Sequence, residues 1–173
     1  FRPSAKRTTI ALELEPGGRS TTRAVARLLR ELPGWELTLL HTKPLGFRPP
    51  IPRDVRKRVH VRAVRRPAQR AASLGEAAIF VPAPDGEERL SLEAAAAGLA
   101  CVVSSIPGHV EIFRPTDPES DGALLVPASD AKALRAALLR LASSRALIRT
   151  LGANARQRAR SFTWRHTAEQ SRR

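Results

Sequence analysis

Apolar positions along this chain fall into short runs with two spacings, one close to two residues and one close to 3.6. Thr8 to Leu14 (TTIALEL) alternates and predicts a strand, ended by the turn Glu15–Pro16–Gly17–Gly18. Ser20 can cap a helix running to about Leu32, with Ala24, Leu28 and Leu29 on one face, and Pro33–Gly34 breaks it. Trp35 to His41 (WELTLLH) predicts a second strand. The proline-rich stretch Lys43 to Arg53 predicts an irregular loop, and Val59 to Val64 (VHVRAV) a third strand. A short helix over 67–74 leads to a strand at 78–82, a helix within 85–98 and a buried strand at 100–103. The segment Ser104 to Gly108 reads as a loop, and a loop-surface histidine is one of two readings for His109. A strand at 123–126, a helix capped by Asp130 and running to about Ala142, and a last helix from Arg145 to about Ser161 complete the pattern.

Strands alternating with helices of this length predict an α/β fold. Such crossovers imply a Rossmann-like parallel sheet with helices on both faces, whose ligands bind at the carboxyl ends of the strands. The chain has 173 residues, enough for one domain with a real core, and no internal repeat or domain boundary is visible. No apolar run approaches the length of a membrane span. The lone cysteine, Cys101, sits in the apolar run LACVV, which points to a buried side chain rather than a disulfide or metal cluster. The sequence has no methionine and begins with Phe1, as expected of a fragment or a processed form.

The formal net charge is +14, carried mostly by arginine. The basic residues concentrate in Arg53–Arg70 and again in Arg156–Arg165. Tyrosine is absent and there are two Trp and five Phe, so the stacking aromatics of single-strand binders are missing. A solvated basic face is the first reading, an anionic membrane surface or acidic partner the second, and nucleic acid the last.

The segment most laden with chemistry is DGEERLSLEAAAAG, Asp85 to Gly98. Asp85 and Glu88 fit a capping box, and Glu87 and Glu88 suit the positive end of a helix dipole. Glu93 lies eight residues after Asp85, among leucines and alanines, where capping does not account for it. A carboxylate there is costly to bury unless something donates hydrogen bonds to it; on an exposed face it would simply be solvated.

Four segments in order resemble a known family. PAPDGEERLSLEAAAAG (82–98) resembles a Glu-x7-Glu pattern with one residue fewer before the first acid. CVVSSIPGHVEI (101–112), DPESDGALLVPASD (117–130) and LGANARQRARSFTW (151–164) resemble the elements that follow it. Together they are similar to the C-terminal, donor-binding domain of retaining glycosyltransferases with the two-Rossmann GT-B fold, family four in the sequence classification. FRP at the start resembles the end of the interdomain linker, which implies that the N-terminal acceptor domain is absent from this chain.

The resemblance implies a nucleotide-diphosphate sugar as co-substrate, with no other cofactor and no metal. Glu93 would accept hydrogen bonds from ribose hydroxyls, and Asp85 would contact the transferred sugar. Amides of Gly86, Glu87 and Glu88 would approach sugar or phosphate oxygens. Arg19 would stand in for a diphosphate-binding lysine, Gly108 and its neighbours would meet the diphosphate, and a protonated His109 would help neutralise it. The strand end at Val64 would lie near the base. No catalytic residue is assigned within this chain, and transfer would need the missing domain, so the chain alone would bind nucleotide weakly without turnover. The family's setting is cytoplasmic, peripheral to a membrane if the basic surface is used.

The chain also departs from the pattern. Glu13 stands where the family places an arginine, Glu87 and Glu88 replace a Phe and a Gly, and Pro107 removes one amide donor. These departures keep a second reading open: a glycosyltransferase-like domain that has lost catalysis and serves as a binding or scaffolding module.

Overall fold

Among the described residues, six parallel strands lie side by side in the order β3-β2-β1-β4-β5-β6. They are β1 (Thr9–Glu13), β2 (Glu36–His41), β3 (Val59–Ala63), β4 (Ile79–Val81), β5 (Ala100–Ser104) and β6 (Ala123–Val126). The helices between and after them are α1 (Arg19–Leu28), α2 (Pro67–Gly75), α3 (Glu88–Ala96), α4 (Pro107–Phe113), α5 (Ala131–Ser143) and α6 (Arg145–Ala159). The computed structural model describes residues 8–14, 18–83, 88–113 and 122–160. The opening FRP, the turn at 15–17 and the motif ends at 117–121 and 161–164 lie outside the described residues.

Successive strand residues point to opposite faces, so the strands other than the edge strand β3 feed two cores. Ile10, Leu12, Leu37, Leu39, Val81 and Val102 pack with Val25 and Leu28 of α1 and Leu134, Leu138 and Leu141 of α5. Ala11, Leu40, Phe80, Cys101 and Val103 pack on the other face with Leu74 of α2, Leu90 and Ala94 of α3, Phe113 of α4 and Ala155 of α6. The expected Rossmann-like sheet with helices on both faces is therefore observed. The chain leaves β1 in one direction to build β2 and β3 and then crosses back to β4. The carboxyl ends of β1 and β4 consequently flank the point where strand order reverses, the usual ligand crevice of such sheets.

Two local expectations, for the α1 cap and for the segment after β5, need correction, and a stretch without a predicted element after the proline-rich loop gains structure. Helix α1 begins at Arg19 with Gly18 as its cap position, so Ser20 is not the cap; the Thr22 hydroxyl instead donates to the Gly18 carbonyl at 2.8 Å. The proline-rich loop closes in a 3-10 helix, Arg53–Arg58, whose Val55 is buried in the first core. The expected loop after β5 turns into α4 at Pro107. A proline suits the first turn of a helix because that N–H has no intrahelical acceptor anyway. The Asp130 cap is as expected, its carboxylate accepting from the N–H groups of Lys132 and Ala133 at 2.9 Å each.

Two glycines of the resembling motifs are in contact. Gly98 ends α3 with φ of +78°, and Gly98 and Leu99 donate to the carbonyls of Ala95 and Ala94 to close the helix. Gly152 of α6 lies so close that a Cβ built on it would stand 2.3 Å from the Gly98 carbonyl oxygen. This contact seats α6 against the end of the helix that carries Glu93.

Cys101 is wholly buried on β5, its thiol donating to the Leu99 carbonyl at 3.5 Å, and burial pushes its pKa well up. Since the thiolate is the reactive form, Cys101 is expected to resist Ellman's reagent in the folded chain and to react fully once urea unfolds it. Stoichiometric labelling without denaturant would contradict this packing.

Candidate functional site

Glu93 sits on α3 facing α2, and its carboxylate is held by a guanidinium fork. Arg70 Nε donates to Oε2 at 2.6 Å and Nη2 to Oε1 at 2.9 Å. Arg89, one turn before Glu93, adds a third bond from Nε to Oε1 at 3.2 Å. The Arg70 side chain is 10% exposed and that of Glu93 30%, so water screens this pair less than it does a surface pair. Bidentate guanidinium–carboxylate pairs of this kind are stronger and more directional than single hydrogen bonds.

Arg70 is the partner that the sequence reasoning did not identify. Its signal was present: on α2 the buried positions are Arg70, Ser73, Leu74 and Gly75, the first three at helical spacing. An arginine on the inner face of one helix and a glutamate on the apolar side of the next form a complementary couple. Arg70 Nη1 also donates to the Arg65 carbonyl at 3.3 Å, which ties Glu93 to the chain just beyond β3. Arg70 thus links Glu93 to the end of β3.

Val64 lies at that strand end, but its side chain is fully buried and its N–H is given to the His41 carbonyl at 2.9 Å. A contact at Val64 would therefore run through its carbonyl group. Arg19 occupies the first turn of α1 and lies over the Phe47 ring, 4.7 Å from its centroid, a cation–π contact. Gly108 falls in the first turn of α4. Asp85, Gly86 and Glu87 lie outside the described residues, and Glu88 is described only as the first residue of α3.

The expectation for His109 is overturned. It belongs to α4 rather than to a loop, and with Ile112 and Phe113 it forms the helix's buried side at spacing i, i+3, i+4. At 1% exposure its side chain is not placed to meet a diphosphate.

Glu13 takes up a role of its own at the end of β1. The residue is 3% exposed, and its Oε2 accepts from the N–H of Ala83, just beyond β4, at 3.1 Å. A buried carboxylate needs such donors, and this one pins the start of the β4–α3 connection across the strand-order reversal.

Two cavities open beside these groups. One of about 390 Å³ is lined by Gly18, Ser20 and Thr21 at the start of α1, by Pro82 and Ala83 after β4, by Ser104 at the end of β5, and by Ser129 and Asp130 after β6. Ser129 has φ of +63°, a left-handed conformation uncommon for a residue with a side chain. The other, of about 260 Å³, is lined by Thr42, Lys43, Arg65, Arg70, Arg89 and Leu90. Among the described residues no three His, Cys, Asp or Glu gather as metal ligands, and no helix is long and apolar enough to cross a membrane.

The sequence model of the family described as Glycosyl transferases group 1 matches residues 17–144. No curated protein sequence matches the chain. Among solved structures, sucrose-phosphate synthase from Thermosynechococcus elongatus is 24% identical with a TM-score of 0.72, over 96% of this chain and 44% of its own. The C-terminal domain of the group 1 glycosyl transferase LpcC from Francisella tularensis is 17% identical with a TM-score of 0.72, over 89% of this chain and 85% of that domain. HepE from Anabaena, in complex with UDP and glucose, is 15% identical with a TM-score of 0.71, over 95% of this chain and 46% of its own. The chain thus spans under half the length of two of these proteins and nearly all of the solved C-terminal domain.

Proposed function

The chain belongs to the group 1 glycosyl transferases, and from that premise we propose that it is the donor-binding half of a retaining glycosyltransferase that takes a nucleotide-diphosphate sugar. The observation that carries this reading is the Glu93 carboxylate, held by Arg70 beside the end of β3. Oε1 accepts two hydrogen bonds and Oε2 one. A carboxylate oxygen has about two acceptor positions, so Oε2 keeps one for a hydroxyl donor. Arg89 is two-thirds exposed, and its swing away from Oε1 would free a second position. A vicinal diol, as on ribose, can then donate to both oxygens. The Anabaena relative's complex with UDP and glucose is the kind of ligand this reading assigns.

Asp85 would meet the transferred sugar, and the amides of Gly86 to Glu88 its oxygens. Arg19 and the first turn of α4 at Gly108 would face the diphosphate. With these groups on one domain, acceptor binding and transfer fall to a second domain across a cleft. An anionic membrane surface is the proposed docking partner for the basic face.

Glu13 favours the second reading, a binding or scaffolding module without catalysis, because a carboxylate at the strand-order reversal repels a diphosphate. Calorimetric titration of the chain with UDP, GDP and ADP separates the two. The donor-binding reading expects one of the three to bind at one site with clear preference over the others. A folded chain that binds none of them is the scaffold.

A further inference from the structure

Helix α1 carries its arginines in a row. Arg19, Arg23 and Arg27 follow at a spacing of four residues, and Arg30 lies three further on, in the turn that ends the helix. At about 100° per residue the four fall within about 80° of one another, along about 16 Å of the helix. All four are exposed, while Thr22, Val25, Ala26 and Leu28 take the buried side.

This arrangement works against the helix. Like charges four residues apart repel, and a cation in the first turn opposes the positive end of the helix dipole. A solvated helix face ordinarily interleaves the two signs, yet α1 holds no acidic residue.

Two neighbouring elements extend the row. Lys132 of α5 lines the furrow between α5 and α1 together with Arg27. The 3-10 helix is tied to the end of α1 by the Arg30–Asp54 pair and by Arg58, which donates to the carbonyls of Leu29, Leu32 and Trp35. Arg53 and Arg56 stand three residues apart, which puts them on one side of such a helix. The carboxylates of these elements are already engaged, Asp54 with Arg30 and Glu31 with Arg135. Among the described residues, Arg23, Arg27, Arg53, Arg56 and Lys132 are exposed and make no ion pair.

An anionic partner would offset this repulsion, and the chemistry of the face says which kind. Stable protein interfaces centre on buried apolar and aromatic side chains. Among the described residues, the large apolar side chain exposed on this side of the sheet is Val61, which by alternation shares the side of Val59. One valine is too little for such a centre. A fluid lipid surface needs none, because its headgroups arrange themselves around fixed cations.

We infer that the α1 side of this domain docks on an anionic phospholipid surface through Arg23, Arg27, Arg53, Arg56 and Lys132. The inference rests on the membrane partner assigned above to the basic face, and gives that face its place and its residues. Helix α1 joins two parallel strands and so runs back against them. Laid on a membrane, it keeps the strands level with the surface, and the crevice at their carboxyl ends opens along the membrane.

The test is co-sedimentation of the chain with vesicles of two parts phosphatidylcholine to one part phosphatidylglycerol, against phosphatidylcholine alone. Binding to the anionic vesicles only is expected, falling steeply as salt is raised. Arg23→Gln/Arg27→Gln should weaken it by about thirty-fold, the attraction of two cations close to such a surface. The change relieves repulsion at exposed positions, so the melting temperature should not fall. Arg149→Gln/Arg160→Gln removes the same charge from exposed positions of α6, which packs on α3 and α4 across the sheet, and should bind like the parent.

Equal losses in the two variants overturn the proposal while leaving a membrane partner for another face. No binding to anionic vesicles overturns both. Tighter binding to duplex DNA than to vesicles of equal anionic charge also overturns the proposal, because the face would then belong to nucleic acid.

Discussion

Glu93→Gln is expected to weaken nucleotide binding by about ten-fold or more and to cost the fold about 2 kcal/mol. Glutamine has nearly the same shape but turns one acceptor oxygen into a donor. The Arg70 fork presents Nε and Nη2 to the two carboxylate oxygens, so one donor would then face another. Breaking a fully buried ion pair costs about 3–5 kcal/mol and an exposed one about 0–1 kcal/mol. With Arg70 10% and Glu93 30% exposed, the cost falls between these limits. It would appear as a lower urea midpoint with an unchanged slope.

Stability alone does not separate a structural Glu93 from a ligand-binding one, because both predict a loss. The double variant Glu93→Gln/Arg70→Met separates them. Methionine removes the orphaned cation and fills much of its volume, so the urea midpoint should recover most of the loss. Affinity should not recover, because one of the two acceptor oxygens is still missing. A double variant that regains both stability and nucleotide affinity would show that Glu93 serves the fold alone.

The order of strands and helices was legible in the sequence because each element carries its own period. Strand residues such as Ile10, Leu12 and Ala11 divide between the two cores as alternation demands. Helix α4 was missed for a definite reason. With Pro107 and Gly108 at its start the segment looks like a loop, whereas proline in a first turn is compatible with a helix. The buried His109 follows from that same error, since the helical spacing of His109, Ile112 and Phe113 is invisible once the segment is taken as a loop. The site was legible only as half of each pair. Glu93 stood out as a carboxylate lacking a local reason, but its partner Arg70 is 23 residues away and depends on α2 and α3 packing on one face of the sheet. Glu13 was legible as a departure from the family pattern; its bond to Ala83, 70 residues on, needed the pairing of β1 with β4.

Gly152→Ala tests the support beneath Glu93, and its sign decides the matter. In the interior of a helix, alanine in place of glycine ordinarily stabilises by about 0.5–1 kcal/mol. Gly152 lies in the middle of α6, so propensity alone predicts a gain. The packing predicts the opposite. The added Cβ would stand 2.3 Å from the Gly98 carbonyl oxygen and 3.1 Å from its carbonyl carbon, backbone atoms that cannot rotate aside. Gly98 itself is fixed by its φ of +78° and by the bonds that close α3. Relief therefore requires α6 to lift or α3 to shift, and overpacking of this kind costs about 1–3 kcal/mol. A net loss of about 2 kcal/mol in urea unfolding is expected, with Cys101 labelling advancing to lower urea. Nucleotide affinity should fall as well, because a displaced α3 carries Glu93 with it while Arg70 stays on α2. A variant more stable than the parent would mean that α6 does not hold α3 in place.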